Sequence, residues 1–254
     1  MELTRDLDVR KAYARDASGL ELVADAVARP TSAREVEAIV QAAIAERTSV
    51  TPAGGQTSMT GASITDRGVL LSLAGMDAVI DIDAGKRMAR VQPGVRIGAL
   101  NTQLAPLGLR FAPDPTSEHD ATVGGAIACN ASGARSLRYG ATRRHVRAVD
   151  VVDGAGALVH LTRPQLEKNT VGYYAAQDPV DWIVGSEGTL GVIVEAELAL
   201  VPLPMHEFGL ALPFGSEHDA LAFVLAARKG GDDNRAHRAQ CLEFFDAQAL
   251  TIAR

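Results

Sequence analysis

The chain is poor in cysteine: Cys129 and Cys241 stand far apart and in no metal-ligand spacing, which excludes a disulfide-stapled scaffold and suits a reducing compartment. No apolar run approaches the ~20 residues of a membrane span, and Met1 to Arg10 alternates charged and apolar residues where a signal core would be apolar. Positive charge is also short. With 25 Lys and Arg against 31 Asp and Glu, the formal net charge is −6 and no long basic run occurs, so neither nucleic acid nor an anionic membrane is an expected partner. A cytoplasmic location follows, with peripheral attachment at the inner membrane left open. The six histidines show no ligand spacing, and no metal site is expected. Missing too are a Gly-Lys-Ser/Thr phosphate loop and a Gly-x-Gly-x-x-Gly at the first strand–helix turn, which disfavours nucleotide hydrolysis and a nicotinamide-binding fold.

What is present is periodicity. The 254 residues, 47% of them hydrophobic, suffice for one large domain or two small ones. Leu22 to Val27 reads as a strand, and Ser32 with Glu35 makes a capping box before Val36, Ile39, Val40, Ala43 and Ile44 at helical spacing. Ser49 to Pro52 returns as a strand, so this βαβ order predicts a small parallel sheet. Val69 to Leu73 adds a strand, and Ala78–Asp83 pairs with Arg87–Gln92 as a hairpin. A helix follows through Ile97, Leu100, Leu104 and Leu107. The long loop from Phe111 to Gly140 holds one helical turn, near Ala126 to Asn130. A second hairpin, Val146–Val152 with Ala157–Leu161, and a strand from Gly191 to Val201 imply an antiparallel subdomain. Beyond Phe208 the pattern predicts a strand, a helix over His218 to Arg228, a polar break at Gly230 to Asn234, and a helix from Leu242.

Two glycine-rich loops follow apolar segments: Pro52 to Gly61, and Thr122 to Gly133. Adjacent glycines permit positive φ and let backbone N–H groups approach an anion, and nearby Ser and Thr add hydroxyl donors, so a pyrophosphate is the expected guest. One Gly-Gly would more simply be a tight turn; two such loops favour a binding site.

Five blocks carry a family resemblance in order along the chain. They are Pro52 to Gly61, Val91 to Val95, Ala112 to Ser117, Ala121 to Gly140, and Gly185 to Ile193, with Lys168 to Tyr173 as a further similar segment. Together they resemble the FAD-linked oxidoreductases of the vanillyl-alcohol oxidase and p-cresol methylhydroxylase type, in the D-lactate, glycolate and D-2-hydroxyglutarate dehydrogenase branch. The resemblance implies an α+β fold with a two-subdomain FAD-binding domain over 1–205, a small parallel βαβ sheet beside an antiparallel sheet with helices. The beginning of a cap domain over 206–254 would follow.

Residue by residue, it implies that Gly54, Gly55, Gln56, Thr57 and Ser58 wrap the FAD pyrophosphate, with Pro52 and Ala53 also cofactor-binding. Thr122, Gly125, Ala128, Asn130, Ala131, Ser132 and Gly133 would complete the pocket around pyrophosphate and isoalloxazine. Gly188, Val192 and Ile193 would line the adenosine side through backbone contacts, with Pro113 and Thr116 along the same channel. Gln56 and Ala121 to Val123 occupy stretches where covalent relatives place a histidine or cysteine, so FAD is expected to be noncovalent. The implied activity is oxidation of a small 2-hydroxy acid, D-lactate- or glycolate-like, by hydride transfer to flavin N5, with an unidentified electron acceptor.

Leu242 to Asp246 resembles the start of the cap, and no His-x-x-Gly-Asp-Gly segment occurs. The expectation is therefore a fragment inactive alone, or one subunit awaiting a C-terminal half or partner, and catalytic residues are left unassigned. The alternative is a noncatalytic flavin-binding subunit of a multi-component oxidase or dehydrogenase. Cys129 reads as a small buried thiol, His119 as a solvated loop residue, Asp81 and Asp83 as solvent-facing, and Glu187 as a brace for its own turn.

Overall fold

A computed structural model describes residues 3–163, 178–229 and 239–252. Its first layer runs β1 (Leu3–Thr4), α1 (Leu7–Ala12), β2 (Ala26–Ala28), α2 (Ala33–Ala45), β3 (Val50–Ala53) and β4 (Val69–Ser72). The sheet order is β1-β2-β4-β3, with β2, β4 and β3 parallel and β1 antiparallel at the edge. The α2 crossover is what permits the parallel pairing. Alternation along the strands serves two cores: Ala26, Ala28, Val69 and Leu71 face α2, while Val27 and Leu70 face Val9 and Tyr13 at α1.

Ser32 caps α2 as expected, its Oγ accepting from the Glu35 N–H at 3.3 Å. The Glu35 carboxylate reaches one residue further back, to the Thr31 N–H at 2.6 Å, so the box closes over Thr31 instead of Ser32. Val36, Ile39, Val40 and Ala43 are buried; Ile44 is exposed. The strand expected from Leu22 is confined to Ala26–Ala28. Asp25, directly before it, turns its carboxylate onto the Gly68 N–H at 2.7 Å.

The second layer contains β5 (Val79–Asp83), β6 (Met88–Val91), α3 (Ile97–Leu104), β7 (Leu109–Arg110), α4 (Val123–Ala128), α5 (Ser136–Tyr139), β8 (Val146–Asp153), β9 (Leu158–Thr162), α6 (Pro179–Ile183) and β10 (Gly191–Ala199). Both expected hairpins form, within an antiparallel sheet of order β5-β6-β10-β8-β9. Leu100 and Leu104 of α3, Ile127 of α4 and Ile183 of α6 bury one face against Val91, Val149 and Leu198. Arg90, Asp150, His160, Glu195 and Glu197 line a shallow groove on the sheet. Leu107 leaves the α3 pattern because a 3₁₀ turn over Ala105–Leu107 succeeds the helix, and it is exposed.

α2 joins the layers. Its buried face shares a core with Val152 of β8 and with Val192 and Val194 of β10, and Gln41 donates to the Gly156 carbonyl at 2.9 Å. The loop after β3 meets the segment before α4, where Gly54 and Gly55 lie against Thr122 and Asp120.

β11 (Val201–Pro202) pairs with β7, and α7 (Glu217–Lys229) and α8 (Ala247–Ile252) follow. No strand forms at Phe208. Phe208 and Leu210 are 84% and 73% exposed, and an apolar stretch with neither strand partner nor core has nothing to make it a strand. The last helix starts at Ala247, not Leu242, because Asp246 accepts from the Ala249 N–H at 2.6 Å and sets the start there. The segments Lys168–Tyr173 and Gly230–Asn234 lie outside the described residues. Among the described residues no helix is long and apolar enough to cross a membrane.

One buried cation ties this terminal stretch to β7. The Arg110 side chain is 5% exposed and donates to Glu207 at 2.7 Å, to the Tyr139 hydroxyl at 3.3 Å and to the Gln240 side chain at 2.5 Å. Its guanidinium also lies 5.2 Å from the Tyr139 ring centroid.

Candidate functional site

The first glycine loop leaves β3 between Pro52, paired with Leu71, and the buried Ala53. Its glycines answer a need for close approach. A Cβ on Gly54 would lie 2.3 Å from Thr122 Oγ1, and one on Gly55 would lie 2.0 Å from the Asp120 carbonyl oxygen. Neither glycine has positive φ; the left-handed residue is Gln56, at φ 51°. Gln56 turns its side chain inward, Nε2 donating to the carbonyls of Tyr13 at 2.9 Å and Ser63 at 3.3 Å. The main chain faces the other way. Among the described residues, no backbone N–H from Gly54 to Met59 donates to a protein acceptor, although Thr57 and Ser58 are partly buried. Successive amides around a left-handed residue form a concavity suited to an anion.

The second glycine pair behaves differently. α4 begins at Val123, three residues before the expected turn, because Thr122 caps it by accepting from the Gly125 N–H at 3.2 Å. The Val123 and Gly124 N–H groups donate to the carbonyls of Val95 and Pro93, both at 2.8 Å. The amide cradle expected here is therefore closed by protein acceptors. Gly124 is required because a Cβ would lie 2.5 Å from Pro93 Cβ. Thr122 is buried, and Thr122→Val is expected to remove the cap and lower stability by about 1 kcal/mol, read from the urea unfolding midpoint.

The Gly185 block closes on both. Gly185 and Glu187 donate their N–H groups to the carbonyls of Ile127 and Ala128, at 3.0 and 2.9 Å. Gly188, at φ 78°, packs where a Cβ would lie 2.7 Å from Pro52 Cγ. Glu187 does not brace its own turn: its Oε1 accepts from Thr60 Oγ1 at 3.3 Å, across on the first loop. Val192 and Ile193 bury their side chains in the two cores while pairing with Val152 and Val151 of β8. β6 pairs with β10 only from Ala196 onward, so their opposite backbone edge has no β6 partner.

Asn130, left-handed at φ 47°, and the partly buried Ala131 follow α4, and Ser132 is exposed. Gly133 sits where a Cβ would lie 2.0 Å from the Asp114 carbonyl, which places Pro113, buried, and Thr116, exposed, beside this end of the loop. Cys129 is exposed and not the buried thiol expected; the surrounding protein still pushes its thiol up, with a hydrogen bond to Ser58 pulling the other way. His119 is exposed, as a solvated loop residue should be. A cavity of about 550 Å³ opens beside the first loop, lined by Gly55, Gln56, Thr57 and Thr122 together with Arg96 and Asp77. Sequence reasoning missed Asp120, whose carbonyl receives Gly55, and Thr60, which reaches Glu187.

Gln56, Asn130 and Glu187 are left-handed without being glycine, and all three lie where these blocks meet. Such strain collects at functional sites. A profile of the FAD binding domain matches residues 24–162, more than half of the chain. The chain belongs to this FAD-binding family. Its match to D-2-hydroxyglutarate dehydrogenase of Xanthomonas citri pv. viticola is 38% identical over 228 residues, 89% of this chain and 46% of that protein. D-lactate dehydrogenase of Anaerostipes hadrus is 36% identical over 195 residues, 76% of this chain and 40% of the relative. A solved alkyldihydroxyacetonephosphate synthase superposes with TM-score 0.73 at 25% identity, covering 90% of this chain and 43% of that one. The FAD-binding chain thus spans about half the length of the curated relatives it matches. FAD is the cofactor of this family.

Proposed function

We propose that the chain holds FAD noncovalently in the seam between its two sheets, as the flavin half of an oxidoreductase acting on a small 2-hydroxy acid, D-lactate- or glycolate-like. The observation that carries this reading is the run of N–H groups from Gly54 to Met59 that, among the described residues, have no protein acceptor, pressed against Asp120 and Thr122 by two glycines. The donor set fits a pyrophosphate. Pro52 to Ser58 would hold it, Thr122, Gly125 and Ala128 to Gly133 would border the flavin, and Gly188 with the backbone of Val192 and Ile193 would meet the adenosine. Pro113 and Thr116 would lie along the channel. When bound, FAD would supply the redox chemistry, a two-electron oxidation in which the hydroxyl-bearing carbon gives up a hydride and the hydroxyl gives up a proton. The protein's part is orientation and exclusion of water, to which the buried Pro113 would contribute. The relatives named for D-lactate and D-2-hydroxyglutarate support this substrate class.

Residues 1–205 would form the FAD domain and 206–254 the start of a cap. In support, the described residues after Pro202 bury only Ala220, and Arg110 is their main ionic tie to the rest. Acid precipitation of the FAD-loaded protein is expected to leave the yellow colour in the supernatant; colour retained in the pellet would refute noncovalent binding. A panel of 2-hydroxy acids, tested for anaerobic bleaching of the bound flavin with the C-terminal half or partner subunit supplied, tests the substrate class. Bleaching by a reduced nicotinamide and by none of the acids would overturn it.

A further inference from the structure

Outside the cofactor loops, Arg143, Arg163, Asp178 and Asp181 form a partly buried charge cluster. Arg143 Nη1 donates to the backbone carbonyl and to Oδ1 of Asp181, both at 2.8 Å, and Nη2 donates to the Val184 carbonyl at 2.5 Å. Arg163 donates to both carboxylate oxygens of Asp181, at 3.0 and 2.5 Å, and through Nε to the Val146 carbonyl at 2.8 Å. It also lies 3.5 Å from Asp178, the residue that caps α6. Asp181, at 19% side-chain exposure, is thus gripped between two guanidiniums, and charge-assisted hydrogen bonds of this kind are among the stronger ones.

The cluster's other side is the cofactor site. The Arg143 N–H donates to Asn130 Oδ1 at 3.0 Å, and Asn130 is one of the left-handed residues there. Gly185 follows the carbonyl that Arg143 holds, and a Cβ on it would lie 3.5 Å from Arg143 Nη2 and 3.6 Å from Asn130 Cβ. One arginine therefore touches both the end of α4 and the turn that carries Glu187 and Gly188 to the first loop.

We propose that Arg143, Arg163 and Asp181 are positioning residues for FAD, fixing the Val184–Gly188 turn against the end of α4 so that the cofactor pocket is formed before FAD arrives. This rests on the placement of FAD between those segments. The physical ground is ordering entropy: Asn130, Gly185, Glu187 and Gly188 all have positive φ, and a turn of such residues left untied would have to be ordered by the cofactor itself.

The test compares Asp181→Ala with the wild-type chain, reading FAD affinity by quenching of flavin fluorescence and the visible circular dichroism of the flavin at saturation. Affinity is expected to fall at least about tenfold, with altered flavin bands. Arg143→Lys keeps the charge but cannot span Asp181 and Val184 together, and should lie between. If Asp181→Ala fails to fold, Asp181→Asn, of equal volume and without charge, carries the same test in the same direction. A folded variant with a lower unfolding midpoint but wild-type affinity and flavin bands has lost only structural support and would overturn the proposal. Failure of the wild-type chain to bind FAD would instead refute the placement of the cofactor.

Discussion

Gly55→Val is expected to weaken FAD binding at least about tenfold, equivalent to about 1.4 kcal/mol, while the fold is kept. A Cβ at this position would lie 2.0 Å from the Asp120 carbonyl oxygen and 3.0 Å from its carbon, so the clash is with main chain and no rotamer relieves it. The first loop must then draw back from the Asp120–Thr122 segment, and its row of donors moves with it. Gly55 itself is exposed and Ala53 anchors the strand behind it, which confines the damage to the loop. Flavin fluorescence titration gives the affinity and far-ultraviolet circular dichroism checks the fold. Gly154→Ala, where a Cβ meets nothing within 4 Å, should bind FAD as the wild type does. Equal affinity in a folded Gly55→Val chain would remove this loop from the site.

Glu207→Gln should lower stability by about 2 kcal/mol, whereas Arg110→Met should stay within about 1 kcal/mol of wild type. The asymmetry comes from burial. Arg110 is 5% exposed and Glu207 41%, so deleting the acid strands a buried cation, while deleting the cation leaves an acid that water can reach. Among the described residues one polar atom of this cluster, the buried Arg110 Nε, already lacks a partner, so the cluster holds a donor that is left unsatisfied even with Glu207 present. Burial pushes the Glu207 carboxyl up, but the hydrogen bond and charge of Arg110 outweigh it and hold the group below its ordinary 4.5. A depressed carboxylate stabilises fully above its ordinary value and loses that contribution as pH falls through its folded value. The wild-type chain should therefore lose this increment on acidification, and Glu207→Gln should lack that part of the pH dependence. Urea midpoints across the acid range check both; equal destabilisation by the two substitutions would show that the ion pair is not what matters.

Much of the architecture was legible because it rests on local periodicity. The α2 stripe, the parallel order it enforces and both hairpins follow from spacing and turn chemistry, and the glycine loops mark where the sheets meet. Elements held by distant partners were not legible. β1 and α1 carry little apolar pattern and depend on pairing with Ala28 and Val27 and on Arg10, which donates to the Ala24 carbonyl at 2.5 Å. The start of α4 was misplaced because its early amides are satisfied by Val95 and Pro93, remote in sequence. For the same reason the two glycine pairs looked alike as sequence and differ in structure: one leaves its amides without protein acceptors, the other has its donors engaged. Arg143 carried no signal in the sequence, since its reach to Asn130 and Val184 exists only once α6 has packed.

The loop from Gly54 to Gly61 contains no lysine or arginine, in a chain of net charge −6. If its main chain is what receives the cofactor's phosphates, they are recognised by the direction of amide hydrogens and not by opposite charge. Affinity at such a site resides mainly in hydrogen-bond geometry, and interactions at a partly buried site are screened by salt much less than exposed ones. Ionic strength is then a weak lever on how well the flavin is retained, and side chains along the loop can vary so long as the path of the backbone does not.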